Sequence, residues 1–285
     1  MTITLRPGTP DDAERCGQII FEAFGAIADQ HNFPTDFPVP EAGIGVAGML
    51  LSHPGFYCVV AEDDGVIVGS NFLDERGNIV GLGPITVSPN GQNSGVGRQL
   101  MQHMLDRAAE KNFGGVRLLQ AAYHNRSMAL YANLDFDVQE ICSVVQGPKV
   151  QAPVPGCTVR ATTGADLDEC NRVCVQVHGH ERGGEVSDSI QQGSGLVVER
   201  GGKITGYTTG VGFFGHSVGV GNEDIMAMIA ATAEYFGPGL IVPTRNTDLL
   251  RWCMSNGLRI VQNLTLMTTG FYQEPKGAYL TSILM

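Results

Sequence analysis

The feature that most limits how this chain can fold is that it resembles itself. LRPGTPDDAERC at 5–16 recurs as VRATTGADLDEC at 159–170, each reading as a short strand, a Thr or Ser-type cap region and an acidic helix start. VVAEDDGVIVGS at 59–70 recurs as LVVERGGKITGY at 196–207, two strands joined by a tight glycine turn. HNRSMALYANLDF at 124–136 has a looser echo in RNTDLLRWCMSNGL at 245–258. Three echoes in one order imply one fold used twice, and 285 residues suit two domains of ordinary size. Between the copies, QGPKVQAPVPG at 146–156 has the proline and glycine content of a linker. The expected division is a first domain over 1–146, a linker over 147–156 and a second domain over 157–285.

Periodicity in the first copy predicts strands near 2–6, 56–62, 66–74, 79–87, 115–121 and 137–145, and helices near 10–25, 40–51, 96–111 and 125–134. That order predicts a mixed α/β (α+β) sheet with helices on both faces. No apolar run reaches the 18 residues of a membrane span, and MTITLRPGTPDD lacks the basic start and apolar block of a signal peptide, so a soluble, cytoplasmic chain with no membrane partner is expected. A net charge of −11 argues against nucleic acid, whose phosphates need a basic surface, and is compatible with a cationic substrate. The seven cysteines are scattered with no Cys-x-x-Cys, which predicts buried thiols rather than a disulfide framework. HGHE at 178–181 has no third spaced ligand; no metal is expected there, only a surface or interdomain polar contact.

The chemistry is concentrated in VSPNGQNSGVG at 87–97. A strand-like segment precedes it, and RQLMQHMLDRAAEKN follows with helical spacing that puts Val96, Leu100, Met101, Met104, Leu105 and Ala108 on one face. A helix anchored by that face holds its N-terminus still. Gly95 and Gly97 remove side chains where a ligand must approach the backbone, and the first N–H groups offer donors at the positive end of the dipole. A diphosphate suits such a place, at about 1.5–3 kcal/mol per charge-assisted contact and about 0.3–1 from the dipole. Arg98 stands where a P-loop needs Lys, and Leu100 where a Rossmann fingerprint needs its third glycine, so neither loop is present.

The spacing that is present is Val87, Pro89, Gln92, Gly95 and Gly97. It resembles the acetyl-coenzyme A binding signature of the GNAT superfamily of N-acetyltransferases. Asn125, Ala129, Leu130, Tyr131, Leu134 and Phe136 resemble a second element of that family, with Asp135 where glycine is usual. The resemblance implies two tandem GNAT-like domains, each a mixed, mostly antiparallel sheet flanked by helices. It implies acetyl-CoA as co-substrate, with its pyrophosphate on Gln92, Asn93, Ser94, Gly95, Val96, Gly97 and Arg98, and with Asn125 and Tyr131 nearby. In GLGPITV at 81–87 the proline removes a ladder donor, so pairing should break. The family's corresponding strand splays from its neighbour there, which implies that the backbone of Ile85, Thr86 and Val87 lines the cofactor.

Acetyl transfer to an amine needs a neutral amine, a stabilised oxyanion and a proton for the departing thiolate. Deprotonating an amine of pKa about 10.4 at pH 7 costs about 5 kcal/mol, so a base or water relay helps. The resemblance places Tyr131 near the cofactor sulfur as the general acid, since a phenol stays protonated at pH 7. A backbone N–H near Ile85 would meet the oxyanion. The base is open among Asp74, Glu75 and His124. Asn125 could cap its helix, bond the cofactor amide, or do both. In the second copy, GHSVGVGNEDIMAMI places Glu223 and Asp224 in the first helical turn, where they would repel a diphosphate. That copy is read as degenerate, serving as scaffold, substrate wall or homodimer surface. The expected function is acetyl transfer to a primary amine of a small molecule, with a protein amine as another acceptor class. A non-catalytic acyl-CoA sensor is the rival.

Overall fold

A computed structural model of the chain describes residues 3–92, 94–235 and 237–284. The elements run β1 (Ile3–Pro7), α1 (Ala13–His31), α2 (Pro40–Ser52), β2 (Phe56–Asp63), β3 (Val66–Asp74), β4 (Ile79–Leu82), β5 (Thr86–Val87), α3 (Val96–Glu110), β6 (Gly115–Ala121), α4 (Asn125–Ala132) and β7 (Asp137–Gln146). They continue with β8 (Thr158–Ala161), α5 (Leu167–His178), α6 (Gly183–Gln192), β9 (Leu196–Arg200), β10 (Lys203–Thr208), β11 (Ser217–Gly219), α7 (Asn222–Ala231), β12 (Leu240–Pro243), α8 (Thr247–Ser255), β13 (Arg259–Gly270) and β14 (Ala278–Leu280). The mixed α/β class holds. Among the described residues no helix is long and apolar enough to cross a membrane.

The periodicity located nearly every element of the first copy within a residue or two. The exceptions are the segment expected as one strand over 79–87, which is split into β4 and β5, and the first helix. That helix runs on to His31, past the expected end near residue 25, and stops where Asn32 takes the left-handed conformation and donates its N–H to the Ala28 and Asp29 carbonyls. Gly25 leaves the helix uninterrupted because its neighbours Ala23 and Ala28 are buried and packing outweighs propensity.

The chain forms two compact units that do not divide at 147–156. One comprises residues 1–75, 80–116 and 123–135; the other comprises 76–79, 117–122 and 136–285. In the first unit, β1, β2 and β3 run in sheet order with β4 next to β3. Cys16, Ile19 and Ile20 of α1 and Leu100, Met101 and Met104 of α3 are all fully buried. Each of the larger of these side chains contributes about 1.5–3 kcal/mol, which fixes α3 and hence its first turn.

The second unit contains a four-strand run in the order β6, β13, β7, β12, with β7 antiparallel to both neighbours. Its strands therefore come alternately from the first and second copies of the repeat. Beside this run lies a five-stranded sheet in the order β14, β11, β10, β9, β8. Cys16, Cys58, Cys142, Cys170, Cys174 and Cys253 are buried free thiols, with Cys157 half-buried.

Candidate active site

The segment expected as one strand over 79–87 is two strands. Leu82 faces Leu73 of β3, but Thr86 faces Ser70, so four steps on one strand meet three on the other. The extra residue falls where Pro84 has no N–H to give, and a bulge there bends the chain. Beyond it, β5 pairs with β3 and, among the described residues, with no other strand. One edge of Thr86–Val87 is thus open. Ile85 and Val87 are half-buried and Thr86 is buried.

From β5 the chain makes a 3-10 turn at Pro89–Gly91 and enters α3 through Gly95. Gly95 has φ +86, a left-handed conformation that glycine adopts without penalty. As N-cap it offers no side chain to the first-turn N–H groups, and the first turn carries no acid. Ser94, Gly95 and Arg98 are exposed, Gln92 and Gly97 half-buried, and Val96 buried as an anchor. Asn93 lies outside the described residues. A Cβ built on Gly97 would meet Val87 Cγ2 and Leu130 Cδ2 at 3.8 Å each, so the open strand edge, the first turn of α3 and α4 adjoin. Nothing in the fold forbids a methyl at Gly97.

Gln92 has a structural task as well. Its amide donates to the Val87 carbonyl at 3.3 Å and accepts from Arg126 of α4 at 2.5 Å, which ties the turn to both neighbours and leaves its main chain to face a ligand. Ser94 Oγ donates to the Gly91 carbonyl at 2.5 Å. With Arg126 and Arg98 near a bare helix N-terminus, the local field is positive although the chain is strongly acidic.

Tyr131 is 6 % exposed on α4, and burial raises its phenol well above the ordinary value, so it is protonated throughout the neutral range. Asn125 does not cap its helix. The N-cap is His124, and Asn125 is exposed in the first turn because the chain turns helical one residue earlier than the cap reading requires. Of the three open bases, Glu75 is consumed: Arg107 holds both its oxygens at 2.5 and 3.0 Å, with Lys111 at 3.4 Å. Asp74 is 3 % exposed at the end of β3, opposite Gly81. His124 has a buried Nε2 with no partner among the described residues, and burial, Arg126 and His31 push its imidazole down to about 4.

His124 belongs to a cluster that the sequence did not reveal. Tyr123 stacks on Phe33 at 4.1 Å and lies 5.2 Å from the His31 ring, which is 6.3 Å from His124. Some ninety residues separate its two sides, and no local pattern links them.

The second copy is closed at every equivalent point. Asp224 is fully buried at the start of α7, where its carboxylate accepts from Gly221 N–H at 3.1 Å, Thr205 Oγ1 at 2.7 Å and Arg200 at 2.9 Å. A Cβ at Gly206 or Gly219 would come within 2.8 or 2.7 Å of Asp224 Cβ, so both glycines make room for it. Strand β11 is paired on both edges, by β10 and β14. Of the HGHE segment, Glu181 is exposed but His178 is not at the surface: it is 6 % exposed and packs edge-on against Tyr279 at 5.0 Å. Its helix face points inward at the end of α5, and among the described residues no three metal-ligating side chains gather.

Residues 21–136 match the sequence model of the acetyltransferase (GNAT) family. A search of curated proteins finds no match. A Pyrococcus horikoshii crystal structure, proposed to be an acetyltransferase, aligns over 99 % of this chain and 92 % of its own at 16 % identity, with a TM-score of 0.73. A GCN5-related N-acetyltransferase from Sphaerobacter thermophilus aligns over 95 % of this chain and 96 % of its own at 13 % identity, with a TM-score of 0.60. The fold is therefore shared along the whole length.

Proposed function

From the match of residues 21–136 to the acetyltransferase (GNAT) family model, we propose that the N-terminal copy moves an acetyl group from acetyl-CoA to a primary amine of a small molecule, with Tyr131 as the acid. The observation that carries this reading is the meeting of the open edge of β5 with the bare N-terminus of α3, seen in the 3.8 Å approach of Val87 to the Gly97 position. The residues fit the cofactor: first-turn N–H groups and Arg98 suit a diphosphate, and the free edge of Thr86–Val87 suits the amides of a pantetheine arm. Acetyl-CoA, when bound, supplies an activated acyl group on a thiolate leaving group.

What the chain adds is position and proton control. Backbone N–H groups from Ile85 to Val87 are fixed donors for a carbonyl oxygen that gains negative charge. Tyr131, protonated through neutral pH, holds the proton that a thiolate would take. His124 at a pKa of about 4 is too weak a base to deprotonate an ammonium; its Nε2 accepts a hydrogen bond from the incoming amine, and water carries the proton away. His31, Phe33, Tyr123 and His124 form the acceptor wall, an aromatic cluster of stacked and tilted rings suited to a small cationic amine before it loses its proton.

The test is a panel of small amines with acetyl-CoA and a free-thiol readout. At least one amine is expected to stimulate thiol release, and Tyr131→Phe to lower kcat by about 100-fold or more with little change in KM for acetyl-CoA. Tight coenzyme A binding with no turnover on any amine would instead favour the sensor reading.

A further inference from the structure

The second unit buries a cation that no carboxylate among the described residues neutralises. Arg117, on β6, is 5 % exposed, and among the described residues no acceptor meets its Nε or Nη2. These two atoms form one edge of the guanidinium, and the protein shows what that edge is for. Arg182 uses Nε and Nη2 to grip both oxygens of Glu185 at 2.6 and 2.8 Å, and Arg107 grips Glu75 with the same pair of atoms. Two parallel N–H bonds match the two oxygens of a carboxylate. A buried guanidinium without such a partner is strongly unfavourable.

Arg117 lines a small recess together with His178, Arg182, His216, Leu266, Tyr272 and Tyr279. The hydroxyls of Tyr272 and Tyr279 are buried and likewise have no partner among the described residues. They line the same recess as Arg117, whose Cζ lies 5.8 Å from the Tyr272 ring centroid, and so could supply further donors to an anion held there. The charge count limits that anion to one negative charge: Arg182 is matched by Glu185, and burial keeps His178 neutral.

We infer that this recess binds a small monocarboxylate, its two oxygens on Nε and Nη2 of Arg117 and on the hydroxyls of Tyr272 and Tyr279. The site lies wholly in the copy that lacks a phosphate loop, and it stands whether or not the acetyl-transfer reading is right. The full chain is titrated calorimetrically, without acetyl-CoA, with acetate, propionate, butyrate and pyruvate, and with chloride and phosphate at matched ionic strength. At least one monocarboxylate is expected to bind one per chain and more tightly than either inorganic ion. Arg117→Met is expected to weaken it about tenfold or more, Arg117→Lys less, and Tyr272→Phe several-fold. Arg117→Met is also expected to melt no lower than the wild type in carboxylate-free buffer, because it removes an unmatched charge. If that variant does not fold, Tyr272→Phe decides alone. Absence of monocarboxylate binding, equal binding of chloride or phosphate, or affinity unchanged in the variants overturns the assignment.

Discussion

Arg160 grips Asp166 through two parallel hydrogen bonds of 2.8 Å, reproducing the grip of Arg6 on Asp12 at 2.8 and 2.9 Å. Each aspartate also caps a threonine N–H three residues earlier at 2.8 Å, and each arginine reaches a second acid, Glu199 or Glu62. The clasp joins the first strand of each copy to its first helix. It is the most exact structural trace of the duplication.

These clasps set part of the acid response. The Arg6 clasp holds Asp12 at about 2, below its ordinary 3.8, and the Arg160 clasp lowers Asp166 further. Between pH 4 and 2 the unfolded chain therefore binds more protons than the folded one, so stability present above pH 4 is lost as pH falls through that window. An earlier loss is expected from pH 6.5 downward, because burial pushes His124 and His216 down to about 4 and His180 to about 3, and the unfolded chain takes up their protons first. Urea titrations from pH 7 to 2 should show both phases. Asp12→Asn should reduce the lower one and cost about 1–2 kcal/mol at pH 7.

Gly97→Ala separates folding from ligand binding. The methyl has ordinary contacts at 3.8 Å, and alanine favours a helix over glycine by about 0.5–1 kcal/mol, so the melting temperature should hold or rise. On the cofactor side the same methyl stands where a diphosphate must approach the backbone. The KM for acetyl-CoA is expected to rise about tenfold or more, and a KM unchanged from the wild type would count against the loop as the cofactor site.

Asp224→Ala should do the reverse. It leaves Gly221 N–H, Thr205 and Arg200 without their acceptor in a buried place, at a cost of about 2–3 kcal/mol read by denaturant unfolding. It should not create a second coenzyme A site, because β14 still closes the edge of β11.

The pH profile of kcat/KM should carry the ionisation of the amine and no limb near 6.5. His124 is already neutral there, its imidazole having been pushed down to about 4. The rate is expected to rise about tenfold per pH unit from pH 6 toward the amine pKa. His124→Gln should lower kcat/KM for the amine without altering the shape of that rise, and a new or lost limb near 6.5 would show that the histidine titrates during turnover.

What was legible in the sequence is what depends on near neighbours along the chain. The face of α3 follows from the spacing of Leu100, Met101 and Met104, the bare helix start from Gly95, and the blocked one in the second copy from Asp224, three residues past Gly221. The repeat announced one fold used twice. It could not announce that β7 and β13, the strands that follow α4 and α8 in the two copies, lie side by side between β6 and β12. When two copies offer equivalent edges, such a strand can complete either with the same alternation of side chains, and only packing of the whole chain decides between them. The same holds for β14 against β11, for Tyr123 on Phe33 and for Arg117 facing Tyr272. Each joins residues about sixty to more than a hundred and fifty positions apart, and their meeting depends on which edges and faces the rest of the fold leaves exposed.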